Sequence, residues 1–202
     1  MGVKYSQRFN LYKNIKMNIL LVKCHPRIDS LTFMVSDSFK KGALKNNNYV
    51  EELDLYRTKF NPILLEKDEP TTGKLSSYSK TVQFEFSRLQ KNDAIVLIFP
   101  LWWWSMPALL KGWIDRVWNY GLTYEPEKHK IKKGLIICLA GASDKEIKKF
   151  KYDEALEITL NKGLFKFCKI PDSQVCILGG TNLGEKYCSK LIRKAYNTGF
   201  NF

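Results

Sequence analysis

The sequence predicts an α/β protein: a five-stranded parallel sheet in the middle layer of three, with helices on both faces. Apolar runs of strand length alternate with amphipathic segments of helix length along most of the chain, and no hairpin signal joins neighbouring runs. The run at 94–99, Ala-Ile-Val-Leu-Ile-Phe, is apolar at every position, as a strand covered on both faces must be. At 202 residues and 45% hydrophobic content, the chain has the size and composition of one domain with a proper core.

Residues 17–23 form the first strand, an apolar run of buried type. Ser30 supplies an N-cap for a helix reaching about Lys45, which Asn46-Asn47-Asn48 breaks. Residues 49–55 are a second, more exposed strand. Residues 57–78, with Pro62, Pro70 and Gly73, read as irregular and too polar for core. A helix over 80–90 precedes the third strand at 94–99. Pro107 opens a helix at its first position, running to Trp118. The fourth strand is 134–140. Residues 152–167 are amphipathic, with Leu156, Leu160, Leu164 and Phe165 among the apolar set. The fifth strand is 174–178, Gly179-Gly180 a turn, and 184–196 the last helix. Residues 1–16, polar and basic without an apolar signal core, are expected to be a flexible extension preceding a domain over 17–202.

The net charge of +13 raises the question of nucleic acid. The lysines are spread along the chain and interleaved with acids, no helix shows a continuous basic face, and no nucleic-acid motif occurs. The charge therefore reads as solvated surface that would also attract an anionic ligand. Five cysteines without a CxxC pair point to reduced thiols in a cytoplasmic protein, with Cys24, Cys138 and Cys176 in apolar strand contexts. Two histidines, His25 and His129, make a histidine metal centre improbable, and no metal site is expected. The longest apolar runs are too short to span a bilayer as a helix.

Three loops follow strand ends that such a winding brings to one sheet edge, where α/β folds bind ligands. In the first, His25, the Ser30 and Thr32 hydroxyls and the free amides of a helix start suit a phosphate. The second runs Pro100-Leu101-Trp102-Trp103-Trp104 and must offer its indoles to a flat apolar partner: the core, a second subunit or a planar ligand. Adjacent loop side chains cannot all face one core, so the ligand is favoured, with Trp104 the ring most open to a packing role. In the third, Ala140-Gly141-Ala142, small residues admit close approach to backbone amides. Phosphate loop, planar-ring loop and small-residue loop together describe a flavin site. Backbone donors at the ring's pyrimidine edge would stabilise the charge formed on reduction.

Two motifs then stand out. Ile19-Leu20-Leu21-Val22-x-x-His25-Pro26-x-x-x-Ser30 is followed by Phe99-Pro100-Leu101-Trp102-Trp103-x-x-x-Pro107-Ala108-x-Leu110-Lys111-Gly112-Trp113-x-Asp115-Arg116-Val117. With Gly121-Leu122-Thr123-Tyr124, these resemble the NAD(P)H:quinone oxidoreductase family of flavodoxin-like flavoproteins. The resemblance implies a three-layer flavodoxin-like fold, a homodimer with sites at its interface, and hydride transfer from NAD(P)H through bound flavin to a quinone. It implies FAD, with FMN the alternative, held by His25, Ser30, Leu31 and Thr32 at the phosphates. Pro100 to Trp104 would line the ring and Ala140 to Ala142 its pyrimidine edge, while Tyr124 would shape the acceptor pocket across the dimer. Lys111, Gly112, Trp113 and Asp115 would serve helix packing and the interface. The chain departs from the family after its fourth strand, where Leu139-Ala140-Gly141-Ala142 replaces Thr-Thr-Gly-Gly and the Tyr and His proposed to relay charge are missing. Tyr152 is the nearest candidate for that role. Some members of the broader family are ancillary subunits of membrane potassium-efflux systems, the alternative reading that this altered loop and the basic charge raise.

Overall fold

Five strands, β1 (Asn18–Lys23), β2 (Tyr49–Asp54), β3 (Ala94–Pro100), β4 (Lys133–Leu139) and β5 (Asp172–Leu178), pair in parallel. Their order, β2-β1-β3-β4-β5, is the doubly wound order of a flavodoxin-like fold. The computed structural model describes residues 17–69 and 72–202, so the expected extension over residues 1–16 lies outside the described residues. Between the strands lie α1 (Leu31–Lys45), α2 (Lys80–Lys91), α3 (Ala108–Val117), α4 (Asp144–Lys149) and α5 (Tyr152–Leu156), and α6 (Glu185–Phe200) follows β5.

Alternation along β1 sorts the helices into layers. Leu20 and Val22 join a core with Phe86 of α2 and Trp113 of α3, whereas Ile19 and Leu21 pack with Phe39 of α1 and Leu191 of α6. The central β3 is buried from Ala94 to Phe99, as its unbroken apolar run predicts, and edge strand β2 is more exposed. α1 and α6 cross backbone to backbone. A Cβ on Gly42 would lie 2.1 Å from the Tyr196 carbonyl, and one on Gly199 2.1 Å from that of Phe39.

Three local expectations need correcting, and one helix was not foreseen. Pro107 is the extended N-cap of α3 rather than its first helical residue. Residues 144–149 form α4, closed by a capping box in which Ser143 and Glu146 satisfy each other's backbone amides. The amphipathic stretch after Tyr152 is α-helical only to Leu156 and continues as a π-helix over Glu157–Lys166. An apolar pattern over ten residues does not separate the two windings; within the wider one, buried Asn161 donates to the Ser173 carbonyl of β5 (3.1 Å). Finally, residues 57–78 are not too polar to be buried, because their polar groups are paired. Asp68, fully buried, accepts from Arg116 Nε (3.0 Å) and Nη2 (2.7 Å) and from the Ser79 amide (2.8 Å). Asn119 Nδ2 donates to the Asp68 carbonyl (2.6 Å), and Phe60 and Tyr78 are also in the core. Burial alone would raise the Asp68 carboxyl, but the Ser79 amide and the Arg116 guanidinium hold it below the usual carboxylate range.

All five cysteines are free; Cys24, Cys138 and Cys168 are buried, Cys176 and Cys188 half-buried. Burial pushes the Cys24 thiol up to about 12, so it is no nucleophile at neutral pH. His129 is a satisfied structural histidine: Nδ1 accepts the Ile131 amide (3.2 Å) and Nε2 faces the Cys168 carbonyl (2.9 Å). Among the described residues, no helix is long and apolar enough to cross a membrane, and no His, Cys, Asp and Glu cluster suits a metal ion.

Candidate functional site

Register places the three loops together. Lys23 pairs with Ile98, Pro100 with Leu139, and Leu139 with Leu178, so the segments after β1, β3 and β4 leave from one carboxyl edge.

The first segment turns away after Cys24, whose amide still donates to Ile98 (3.1 Å). Ser30 caps α1, accepting from the Phe33 amide (3.3 Å). The next two amides, those of Leu31 and Thr32, have no acceptor within the helix, and the first turn contains no acidic side chain to offset the dipole. His25 Nδ1 lies 3.1 Å from the Arg27 amide and 3.2 Å from the Arg27 carbonyl, accepting from the first or donating to the second according to tautomer, while Nε2 makes no hydrogen bond to the described residues. Burial above all lowers the affinity of this imidazole for a second proton. Arg57 fixes the loop: Nη1 donates to the His25 carbonyl (3.1 Å) and Nη2 to that of Pro26 (2.9 Å). Sequence reasoning missed Arg57, because a lone arginine after an edge strand carries no signal of its own.

The indole run makes a tight turn. The Trp102 amide donates to Ser105 (3.2 Å) and the Ser105 amide to Trp102 (3.1 Å), while Trp103 and Trp104 take φ of +52° and +57°. Reciprocal bonds around two left-handed residues are the pattern of a type I′ turn, which normally takes Asn-Gly. Left-handed backbone costs an ordinary L-residue about 1–2 kcal/mol, so two tryptophans here store strain. The three rings diverge, as argued from sequence. Trp103 is 97% exposed, Trp102 lies 6.0 Å from the His25 ring, and Trp104 stacks on Tyr152 at 3.5 Å with planes 13° apart. Trp104 is thus the ring that packs.

The third segment hangs on its neighbour. Ala140 donates to Leu178 (2.9 Å), and the amides of Gly180 and Thr181 donate back to Ala142 (2.8 Å) and Ala140 (3.1 Å). Gly141 and Ala142 donate their own amides to no protein group among the described residues. Gly141 has no positive φ, and a Cβ there would meet nothing nearer than Asn182 Nδ2 at 4.0 Å. Neither backbone conformation nor packing demands glycine at this position.

Leu101, Trp103, Trp104, Ala140, Gly141 and Ala142 together line a cleft of about 230 Å³. The structure therefore joins the indole and small-residue loops, with the His25 loop touching through Trp102. Tyr152 stands against Trp104, and Tyr124 lies elsewhere: its ring contacts Phe167 (5.3 Å) and Tyr120 (6.0 Å) rather than lining the cleft. Of the α3 motif, Gly112 abuts Pro62, Trp113 is core and donates to Glu85 (3.2 Å), and Lys111 pairs with Asp115 at the surface (2.6 Å).

Comparison with known proteins agrees with the fold. A family model described as flavodoxin-like fold matches residues 17–198. An uncharacterized NAD(P)H oxidoreductase of Escherichia coli (strain K12) is 38% identical over 165 residues, 81% of this chain and 84% of that protein. A second, from Haemophilus influenzae, is 30% identical over 83% of this chain and 86% of its own length. Among solved structures, the NAD(P)H:quinone oxidoreductase from Methanothermobacter marburgensis superposes with a TM-score of 0.85 at 27% identity, covering 93% of this chain and 97% of that one. Fold order and these relatives agree: the chain belongs to the flavodoxin-like family, among its NAD(P)H oxidoreductases.

Proposed function

We propose that this chain reduces quinones or related aromatic acceptors at the expense of NAD(P)H, using a bound flavin. The observation that carries the reading is the cleft itself: an unrequired glycine with unpaired amides faces a strained, indole-lined turn. A planar ring bearing carbonyl groups along one edge accounts for both walls.

In this reading Leu31 and Thr32 amides, the Ser30 and Thr32 hydroxyls and His25 Nε2 hold phosphate, FAD being the preferred form and FMN its alternative. The backbone from Pro100 to Trp104 lies against the ring face. Flavin supplies the centre that takes hydride from the nicotinamide and gives it to the acceptor. The Gly141 and Ala142 amides face the pyrimidine edge and favour the negative charge that reduction places there. Losing the threonine hydroxyl at this edge leaves those backbone donors intact. Donor and acceptor take turns over one face in a ping-pong sequence. Tyr152 holds Trp104 in place, and no other phenol or imidazole stands beside the indole turn apart from His25 among the described residues. The single-chain cleft falls below the usual range of about 300–1,000 Å³ for small-molecule sites, which supports a homodimer in which Tyr124 of a second copy completes the acceptor pocket. Five free cysteines fit a cytoplasmic location.

The test is heat release of the ligand from purified protein, mass spectrometry of what comes off, and NAD(P)H oxidation with menadione. Release of FAD or FMN with acceptor-dependent turnover is expected. A colourless protein that binds no added flavin and leaves NAD(P)H unoxidised overturns the proposal.

A further inference from the structure

At the opposite end of the sheet, α6 and the amino ends of β4 and β5 enclose a polar groove of about 470 Å³. Lys190, Arg193 and Lys194 enter it from one turn of α6, Lys133 enters from the start of β4, and Gln174 and Asn197 add carboxamides. At spacings of three and four residues, the α6 cations project from the same side of the helix and repel one another. None of the three makes a salt bridge among the described residues. No carboxylate side chain lines the groove. Among the described residues, Lys133 is the one lining cation with ion-pair or hydrogen-bond partners: it lies 3.8 Å from Asp172, whose side chain is 74% exposed, and donates to the Phe202 carbonyl oxygen (2.7 Å).

Solvated lysines on a basic protein ordinarily alternate with acids, and elsewhere they do so here: Lys23 and Lys40 share Glu52, Lys111 meets Asp115, and Lys148 meets Asp153. The groove gathers three α6 cations without an acidic partner beside a fourth, Lys133, that is only weakly paired, and its volume falls within the range of small-molecule sites. No single helix face reveals it in the sequence, because Lys133 comes from a strand 57 residues earlier than Lys190.

We infer that this groove is a second anion site, separate from the flavin cleft, which takes a soluble small molecule bearing adjacent phosphates. Lysine and arginine would meet the phosphate oxygens, Arg193 with two donors at once. Gln174 and Asn197 would meet hydroxyl or base-edge groups on the remainder of the ligand. β4 is seven residues long, so its two ends, and with them the two sites, stand roughly 20 Å apart.

Titration calorimetry with inorganic pyrophosphate, on flavin-saturated protein at low salt, tests this. One site per chain is expected, weakening steeply with salt, with affinity for pyrophosphate at least tenfold above that for orthophosphate. The triple variant K190E/R193E/K194E should lose binding at least tenfold while keeping its circular dichroism. The milder K190Q/K194Q should show an intermediate loss should the reversed charges disturb the helix. His25→Ala should leave this binding unchanged, which separates the groove from the start of α1 whatever ligand occupies that end. Binding that survives charge reversal, or that vanishes in His25→Ala, overturns the inference. So does preferential retention of a short DNA duplex that pyrophosphate fails to displace.

Discussion

Replacing Trp103 with Asn should stabilise the protein and weaken its site at the same time. Trp103 holds φ at +52°, yet its ring is 97% exposed, so the substitution removes strain and sacrifices no buried apolar area. A left-handed L-residue costs about 1–2 kcal/mol, and Asn tolerates that region far better than Trp, which leaves a net gain of about 1 kcal/mol. For a chain of this size such a gain raises Tm by about 2–4 °C. The exposed indole can contribute to ligand binding only by stacking, which is worth about 0.5–1.5 kcal/mol, or about a two- to tenfold change in flavin affinity. Differential scanning calorimetry of the ligand-free protein measures the first effect, and flavin fluorescence titration measures the second. Opposite signs are expected. A lower ligand-free Tm would show that the turn is not strained, and an unchanged flavin affinity would show that Trp103 does not serve the cleft.

Asp68→Asn should cost about 3–5 kcal/mol in urea unfolding, because it leaves the buried Arg116 without its counterion. The Asp68 carboxyl lies below its ordinary value in the fold, so its contribution is present above about pH 4 and lost as pH falls through the lower folded value. The variant should therefore lose less stability than the parent on acidification below pH 4. Ser30→Gly keeps most of the N-cap preference, changing stability by a few tenths of a kcal/mol, while flavin affinity should fall several-fold through the lost hydroxyl. Tyr152→Phe should preserve the stack on Trp104 and with it flavin affinity and turnover, whereas Tyr152→Leu should weaken binding; a loss of turnover in the Phe variant would instead assign the phenol a role in proton transfer. Gly199→Ala should destabilise the protein by about 1–3 kcal/mol in the same urea assay, since the added methyl meets the Phe39 carbonyl.

The sheet was legible because β1, β3 and β4 are apolar runs and each helix of α1, α2, α3 and α6 has its own stripe. The edge loops were legible because the indoles of 102–104 and the small residues of 140–142 are chemically unlike ordinary loops. What stayed hidden depends on contacts distant in sequence. Asp68 reads as a solvated acid until Arg116, 48 residues later, is seen against it. Arg57 reads as surface until its guanidinium is found on two carbonyls of the His25 loop. The strain at Trp103 and Trp104 is invisible because both residues contradict the turn they form. The π-helix escaped because Leu160 and Phe165 suit either winding.

The bonds from Gly180 and Thr181 to Ala142 and Ala140 bear on truncation. One wall of the cleft is strapped to the turn beyond β5, which follows the other four strands in sequence. A chain cut before β5 therefore loses the strap that fixes this wall of the cleft, although the residues of the wall itself are all present.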